Sequence, residues 1–242
     1  MISVMRKPLP RRCSARSAGH ASGARATGVA AQIRAFLLER GIAVRQGRQF
    51  LRAELPTVLA TRSDVLSTRI LHMIEDLAQD WRQMDERIDR LSTEIEVLAH
   101  EDAGAQRLMS VPGIGPIISS AMVAAIGTGA TFSKGRDFAA WLGLVPKQIS
   151  TGDRTILGPI SRRGNRYLRA LFVQATWVVL VRAKNWERYG LKSWIEAAKK
   201  RLHHNVLAIA LANKLARIAW SVLARGRAFE VRKIDDAAPQ SA

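Results

Sequence analysis

"LMSVPGIGPIISSAMVAAIG", residues Leu108 to Gly127, holds two apolar runs split by Pro112-Gly113-Ile114-Gly115. Proline breaks a helix interior and glycine reaches backbone geometry closed to other residues, so these four residues read as a tight turn between two short helices. Pro116 suits the first turn of the second helix. Ile114 is placed to plug the hairpin, with Ile117, Ile118, Ala121 and Met122 facing a core. The amides around Gly113, Ile114 and Gly115 can approach a phosphate oxygen without side chains in the way, and the positive end of the following helix favours the negative charge. An ordinary αα-turn that happens to contain Gly-x-Gly is the plainer alternative.

The rest of the chain favours an anionic partner. Its 242 residues carry 38 Lys and Arg against 20 Asp and Glu, a formal net charge of +18. That balance points to a polyanion, nucleic acid before a membrane surface, and no apolar run approaches the ~18 residues needed to span a bilayer. Cys13 is the only cysteine, which excludes an intrachain disulfide and a cysteine-rich zinc site and fits a reducing, cytoplasmic setting. The positive charge is concentrated after residue 100, downstream of an acidic stretch. In this context the hairpin resembles the helix-hairpin-helix motif of DNA repair and junction-processing proteins, which grips the backbone without reading bases.

The expected organisation is mainly α. Residues 1–28 read as a disordered basic tail and residues 29–61 as linker helices, one of them starting at Val29 and ending at Gly41. Residues 62–103 form a long helix in which Ile70, Ile74, Leu77, Trp81, Met84, Ile88, Leu91, Ile95 and Leu98 recur at spacings of four and three, the pattern of a coiled-coil seam. Two readings stay open: pairing between chains through residues 70–98, or a long helix packed on its own domain. Residues 104–229 form a helical domain containing the hairpin, with helices at 105–111, 116–126, 134–142, roughly 165–184, 191–204 and 205–225. Ser133 is the expected N-cap of the third, Gly143 follows its end, and short strands are expected only near 144–160. Residues 230–242 read as a second disordered tail.

"KQISTGDRTILGPISRRGNRYLR", Lys147 to Arg169, carries the remaining candidates. Arg162, Arg166 and Arg169 recur at four and three residues and, with Arg163, Arg154 and Ser161, suit a phosphate clamp made of bidentate guanidinium contacts. Ser150 and Thr151 beside Gly152 usually make turns or caps, and on residue chemistry alone they are weak nucleophile candidates. His203 and His204 lack a metal-binding pattern. Trp177, Trp186, Trp194 and Trp220 read as core before base-stacking platforms.

Taken together, "VPGIGPIISSAMVAAIG", "FSKGRDFAAWLGLVPKQISTGDRTILGPISRRGNRYLRALFV" and "LAIALANKLARIAWSVLARG" resemble the C-terminal part of insertion-sequence transposases of the one-hundred-ten family, in particular its eleven-eleven branch. The resemblance runs from about Val29 to Phe229. It implies DNA recombination in which a serine attacks a phosphodiester, a structured guide RNA as a further partner, and an N-terminal RuvC-like domain whose four carboxylates bind a divalent metal, Mg²⁺. The matching loop makes Ser150 the family nucleophile, with Thr151 second, although Asp153 stands where the family has a second glycine. The first acid in the chain is Glu39, so the expectation is a truncated copy that carries no metal site of its own and does not cut DNA alone. The alternative is a non-catalytic DNA-binding or coiled-coil fragment that modulates intact transposase.

Overall fold

The computed structural model describes residues 11–61, 65–151 and 154–231, with the backbone alone for residues 11–22. The chain divides into two compact units, Met1–Ile95 and Glu96–Ala242.

The first unit contains α1 (Arg11–Leu38), α2 (Arg48–Thr61) and most of α3 (Thr68–Glu101). Helix α1 starts well upstream of Val29, which corrects the expected tail over residues 11–28. The cause is legible afterwards: this segment is rich in Ala and Arg, strong helix formers. Ala26 and Ala30 extend the buried face of Ile33 and Leu37 by one more turn and more, but alanine carries little weight in a pattern sought among large side chains. Residues 1–10, 62–64 and 232–242 lie outside the described residues, and with them the start of the first expected tail and nearly all of the second.

Ile74 and Trp81 are buried, and Ile70, Leu77, Met84 and Ile88 pack around the same cluster with Ile33, Leu37, Leu51 and Leu55. From Ile70 to Ile88 the apolar stripe of α3 is therefore covered by its own chain, the second of the two open readings. Pairing between chains through residues 70–98 gains no support from this packing. Asp85, almost fully buried beside the stripe, accepts a hydrogen bond from Arg52 and pairs with Arg48 at 3.5 Å.

The second unit is organised around α9 (His204–Arg225), on which α4 (Ala103–Met109), α6 (Gly135–Trp141), α7 (Arg166–Val181) and α8 (Lys192–Lys199) pack. Helix α5 (Pro116–Ile126) packs on α4 and α7. Leu207, Leu211 and Leu215 of α9 alternate with Ala208, Ala212 and Ala216, all buried, so large side chains anchor the helix while small ones admit its neighbours. By length and composition α9 is apolar enough to cross a membrane, contrary to the expectation that no such run exists, but half of that stretch is packed inside the unit, as in a core helix. Phe138 and Phe172 are fully buried and meet edge to face at 6.2 Å between ring centres.

Several boundaries differ from expectation for local reasons. Helix α4 stops at Met109, before Pro112, and Asp102 caps its start by accepting the Ala105 N–H at 2.8 Å. The N-cap of α6 is Lys134, not Ser133, because Asp137 reaches back to accept both the Ser133 hydroxyl (3.0 Å) and the Lys134 N–H (3.2 Å). Helix α7 gives way after Val181 to a 3-10 turn, Ala183–Asn185, and α8 ends at Lys199. The expected strands are present as an antiparallel ribbon, β1 (Pro146–Thr151) and β2 (Arg154–Ile160).

Candidate nucleic-acid interface

The arginine-rich turn between β2 and α7 is held by backbone bonds to the end of α6. The Ser161 N–H donates to the Val145 carbonyl at 2.8 Å, Arg162 N–H to Gly143 at 3.2 Å, and Asn165 N–H to Trp141 at 3.3 Å. Gly143 and Gly164 both have positive φ, and a Cβ on either would overlap a backbone carbonyl of the other segment, Arg163 or Trp141. Asn165 caps α7 by accepting the Leu168 N–H at 3.0 Å. Arg162, itself at φ +56°, therefore precedes the helix, which corrects the expected helical stack of Arg162, Arg166 and Arg169. Arg162, Arg163 and Arg166 are exposed, and none is in an ion pair among the described residues. Arg169 is half-buried and donates to the Leu142 carbonyl at 2.8 Å, so it braces the turn.

At the other end of α7 lies the glycine hairpin. Gly113, at φ +76°, presses against α7: a Cβ there would be 2.7 Å from the Ala175 carbonyl oxygen and 3.0 Å from Val179 Cγ2. Gly115 caps α5 in an extended conformation, with nothing within 4 Å of the Cβ position. Ile114 is buried as expected, and its N–H is taken by the Val111 carbonyl at 3.1 Å. Gly113 and Gly115 N–H have no partner among the described residues. Ile118, Ala121 and Met122 are buried, whereas Ile117 is 44% exposed because it sits in the first turn of α5, off the buried face. The hairpin forms one wall of a cleft of about 330 Å³ whose other wall includes Arg182, Asn185 and Tyr189. Sequence reading did not single these three out: they reach the hairpin only because Gly113 docks on the last turns of α7.

The hairpin and the arginine turn are thus separate. Val179 stands thirteen positions after Arg166 along α7, which is about 20 Å of helix.

Ser150 and Thr151 end β1, facing Thr155 and Arg154 across the ribbon. Both are exposed. The Ser150 hydroxyl accepts a hydrogen bond from Gln148 Nε2 at 3.0 Å and lies 3.4 Å from the Thr155 hydroxyl. Neither neighbour is a base that can take its proton. Gly152 and Asp153 lie outside the described residues. Among the described residues no group of three or more His, Cys, Asp or Glu could hold a metal ion, so the residues present do not fit the divalent metal that the family resemblance implies. His203 caps α9 through Nδ1, which accepts the Asn205 N–H at 3.4 Å, and His204 is exposed beside it. Trp186 is buried, with its indole N–H on the Val179 carbonyl at 2.8 Å; Trp177 is 37% exposed.

Residues 105–191 match the family described as Transposase IS116/IS110/IS902. Over 200 residues the chain is 41% identical to a probable family 20 transposase of Pseudomonas aeruginosa, an alignment that covers 82% of this chain and 59% of that protein. The chain belongs to the IS116/IS110/IS902 transposase family. It is also 38% identical over 198 residues to the transposase for insertion sequence element IS1328 of Yersinia enterocolitica, covering 82% of this chain and 58% of that one. To the transposase for IS1111A of Coxiella burnetii it is 33% identical over 199 residues, 82% of this chain and 54% of the relative. The chain thus spans somewhat more than half the length of these transposases. The family segment, residues 105–191, contains the hairpin, the ribbon and the arginine turn together.

Proposed function

We propose that this transposase-family chain acts on DNA in the recombination of an insertion sequence, its second unit gripping the DNA backbone at both ends of α7. The observation that carries this reading is the set of exposed guanidiniums of Arg162, Arg163 and Arg166, in no ion pair among the described residues, on a turn pinned to α6. A pinned turn presents its charges with little backbone ordering left to do, and guanidiniums match phosphate geometry. At the far end of α7, the Gly115 amide and Arg182 offer a second phosphate contact of the helix-hairpin-helix kind. Backbone contacts of this sort position DNA without specifying sequence.

Within the same reading, Ser150 is the nucleophile and Thr151 the second choice. The Ser150 oxygen would bond to a backbone phosphorus, the bond from phosphorus to a deoxyribose oxygen would break, and that oxygen would leave with the proton the serine gave up. Gln148 and Thr155 orient the hydroxyl in this scheme without taking its proton. Its support is the family segment and the exposed position of Ser150 at the tip of the ribbon. A guide RNA and a metal-bearing partner domain belong to this proposal as what the family resemblance implies.

Titrating labelled duplex DNA over a range of salt tests the binding claim. The triple variant R162Q/R163Q/R166Q is expected to bind more weakly and to reduce the slope of log affinity against log salt by up to about 2.7, from ~0.9 per lost phosphate contact. An unchanged slope would remove the arginine turn from the interface. The chemical step is read separately, with a metal-bearing N-terminal domain of the family supplied in trans, as a denaturation-resistant protein–DNA adduct that Ser150→Ala abolishes and Thr151→Ala does not.

A further inference from the structure

On another face of the second unit, α6, α8 and α9 enclose an open groove of about 710 Å³. Lys134 and Arg136 enter it from the start of α6, and Lys214, Arg217 and Arg225 from α9. The lining contains no Asp or Glu. None of the five cations is in an ion pair among the described residues. Asp137, in the first turn of α6, is engaged by the Ser133 hydroxyl and the Lys134 N–H.

The convergence of charge is built into the packing. Gly135 starts α6 directly against α9, where a Cβ would be 3.2 Å from the Arg217 carbonyl oxygen and 3.1 Å from the Trp220 ring. That close approach brings the two cations of α6 beside those of α9. Trp220 is fixed by its indole N–H on the Gly129 carbonyl at 3.1 Å, and Trp194 of α8 lies with its ring 4.7 Å from Lys214 Nζ. Burial, with Arg217 beside it, holds the Lys214 ammonium below the usual lysine pKa. The groove therefore gathers positive charge at a cost, with no counter-charge among the described residues that line it.

We propose that this groove holds a single strand of DNA by its phosphates, between walls that carry Trp194 and Trp220. Concave, positively charged grooves with aromatic walls suit single strands, whose flexible backbone follows the channel and whose bases can meet a ring. A duplex is convex and rigid and reaches only the rim of such a groove. The inference rests on the DNA-binding reading above for its class of ligand, but on none of the same residues. A second unit that grips duplex along α7 and holds a separated strand here has the two contacts that strand exchange requires.

The test is fluorescence anisotropy of the full chain with labelled oligothymidine, oligouridine and a short duplex, each across salt concentrations. K214Q/R217Q is expected to weaken oligothymidine binding about tenfold and to cut its salt slope by about 1.4, from ~0.7 per phosphate contact on a single strand, while leaving duplex affinity within about twofold. R136Q/R225Q, which changes only exposed side chains, is expected to act in the same direction and guards against a folding defect in the first pair. R162Q/R163Q/R166Q should show the opposite preference. Equal losses on strand and duplex would overturn the proposal, as would a groove-dependent oligouridine affinity without an oligothymidine one. Duplex binding by a chain that ignores oligothymidine would overturn this inference and leave the two-ended grip intact. Groove-dependent strand binding without duplex binding would do the reverse.

Discussion

Gly113 and Gly115 stand two residues apart in the same hairpin, and the structure gives them opposite surroundings: Gly113 is pressed against α7 and Gly115 faces open space. Gly113→Ala places a methyl group at φ +76°, 2.7 Å from the Ala175 carbonyl oxygen and 3.0 Å from Val179. The left-handed backbone costs an L-residue about 1–2 kcal/mol. Forcing the extra carbon between the hairpin and α7 adds about 1–3 kcal/mol, because the obstacle is backbone that cannot swing aside. The expected loss is therefore roughly 2–5 kcal/mol, a large share of a domain's stability. Gly115→Ala has an ordinary φ of −108° and open space around the methyl, so it costs only the poorer N-cap, about 0.5–1 kcal/mol. Urea unfolding followed by tryptophan fluorescence separates them, since five of the six tryptophans lie in the second unit. On DNA the order reverses for the folded protein. Gly115→Ala puts its methyl where a phosphate would approach and is expected to lower duplex affinity while leaving unfolding nearly unchanged. Equal unfolding midpoints for the two variants would refute the assignment of Gly113 to packing, and an unaltered affinity in Gly115→Ala would refute the assignment of Gly115 to the ligand.

Other perturbations follow from the same structure. Phe172→Ala empties a fully buried site against Phe138 and is expected to cost about 3–5 kcal/mol in urea unfolding, one of the largest single losses in the second unit. Asp85→Ala removes the carboxylate shared by Arg48 and Arg52; because both guanidiniums are substantially exposed, the loss in the first unit should stay near 1 kcal/mol and shrink further in high salt. For Lys214, the folded chain holds the proton less tightly than the unfolded chain. Stability should accordingly rise as pH climbs from below the folded pKa towards the ordinary value of 10.5, and thermal melts of Lys214→Met should lack that rise.

The helices of the second unit were largely legible because their punctuation is local. Pro116 and Gly143 mark ends that any tertiary context would respect. The misplaced cap at Ser133 arose from a choice between two local hydrogen-bonding schemes, which Asp137 decides. What the sequence concealed was distance. Gly113 to Gly115 and Arg162 to Arg169 read as one DNA-binding set, but α7 holds the hairpin and the arginine turn about 20 Å apart. Arg182 and the five cations of the groove show no spacing along the chain, and only the packing of α6, α7 and α9 assembles them. The stripe of α3 had the opposite character: its periodicity was plain, but a seam that meets α1 and α2 has the same period as one that meets another chain. For Ser150, the residues establish an exposed, hydrogen-bonded hydroxyl, and the nucleophilic role proposed for it rests on the family resemblance alone.

Ethylation interference on a bound duplex tests the two-ended grip most directly, because it reports which phosphates the protein needs. With one contact at each end of some 20 Å of α7, and 3.4 Å of duplex axis per phosphate on a strand, the account predicts two clusters of sensitive phosphates about six base pairs apart. R162Q/R163Q/R166Q should erase one cluster, and Arg182→Gln should weaken the other. A single cluster, or two that neither variant alters, would contradict it.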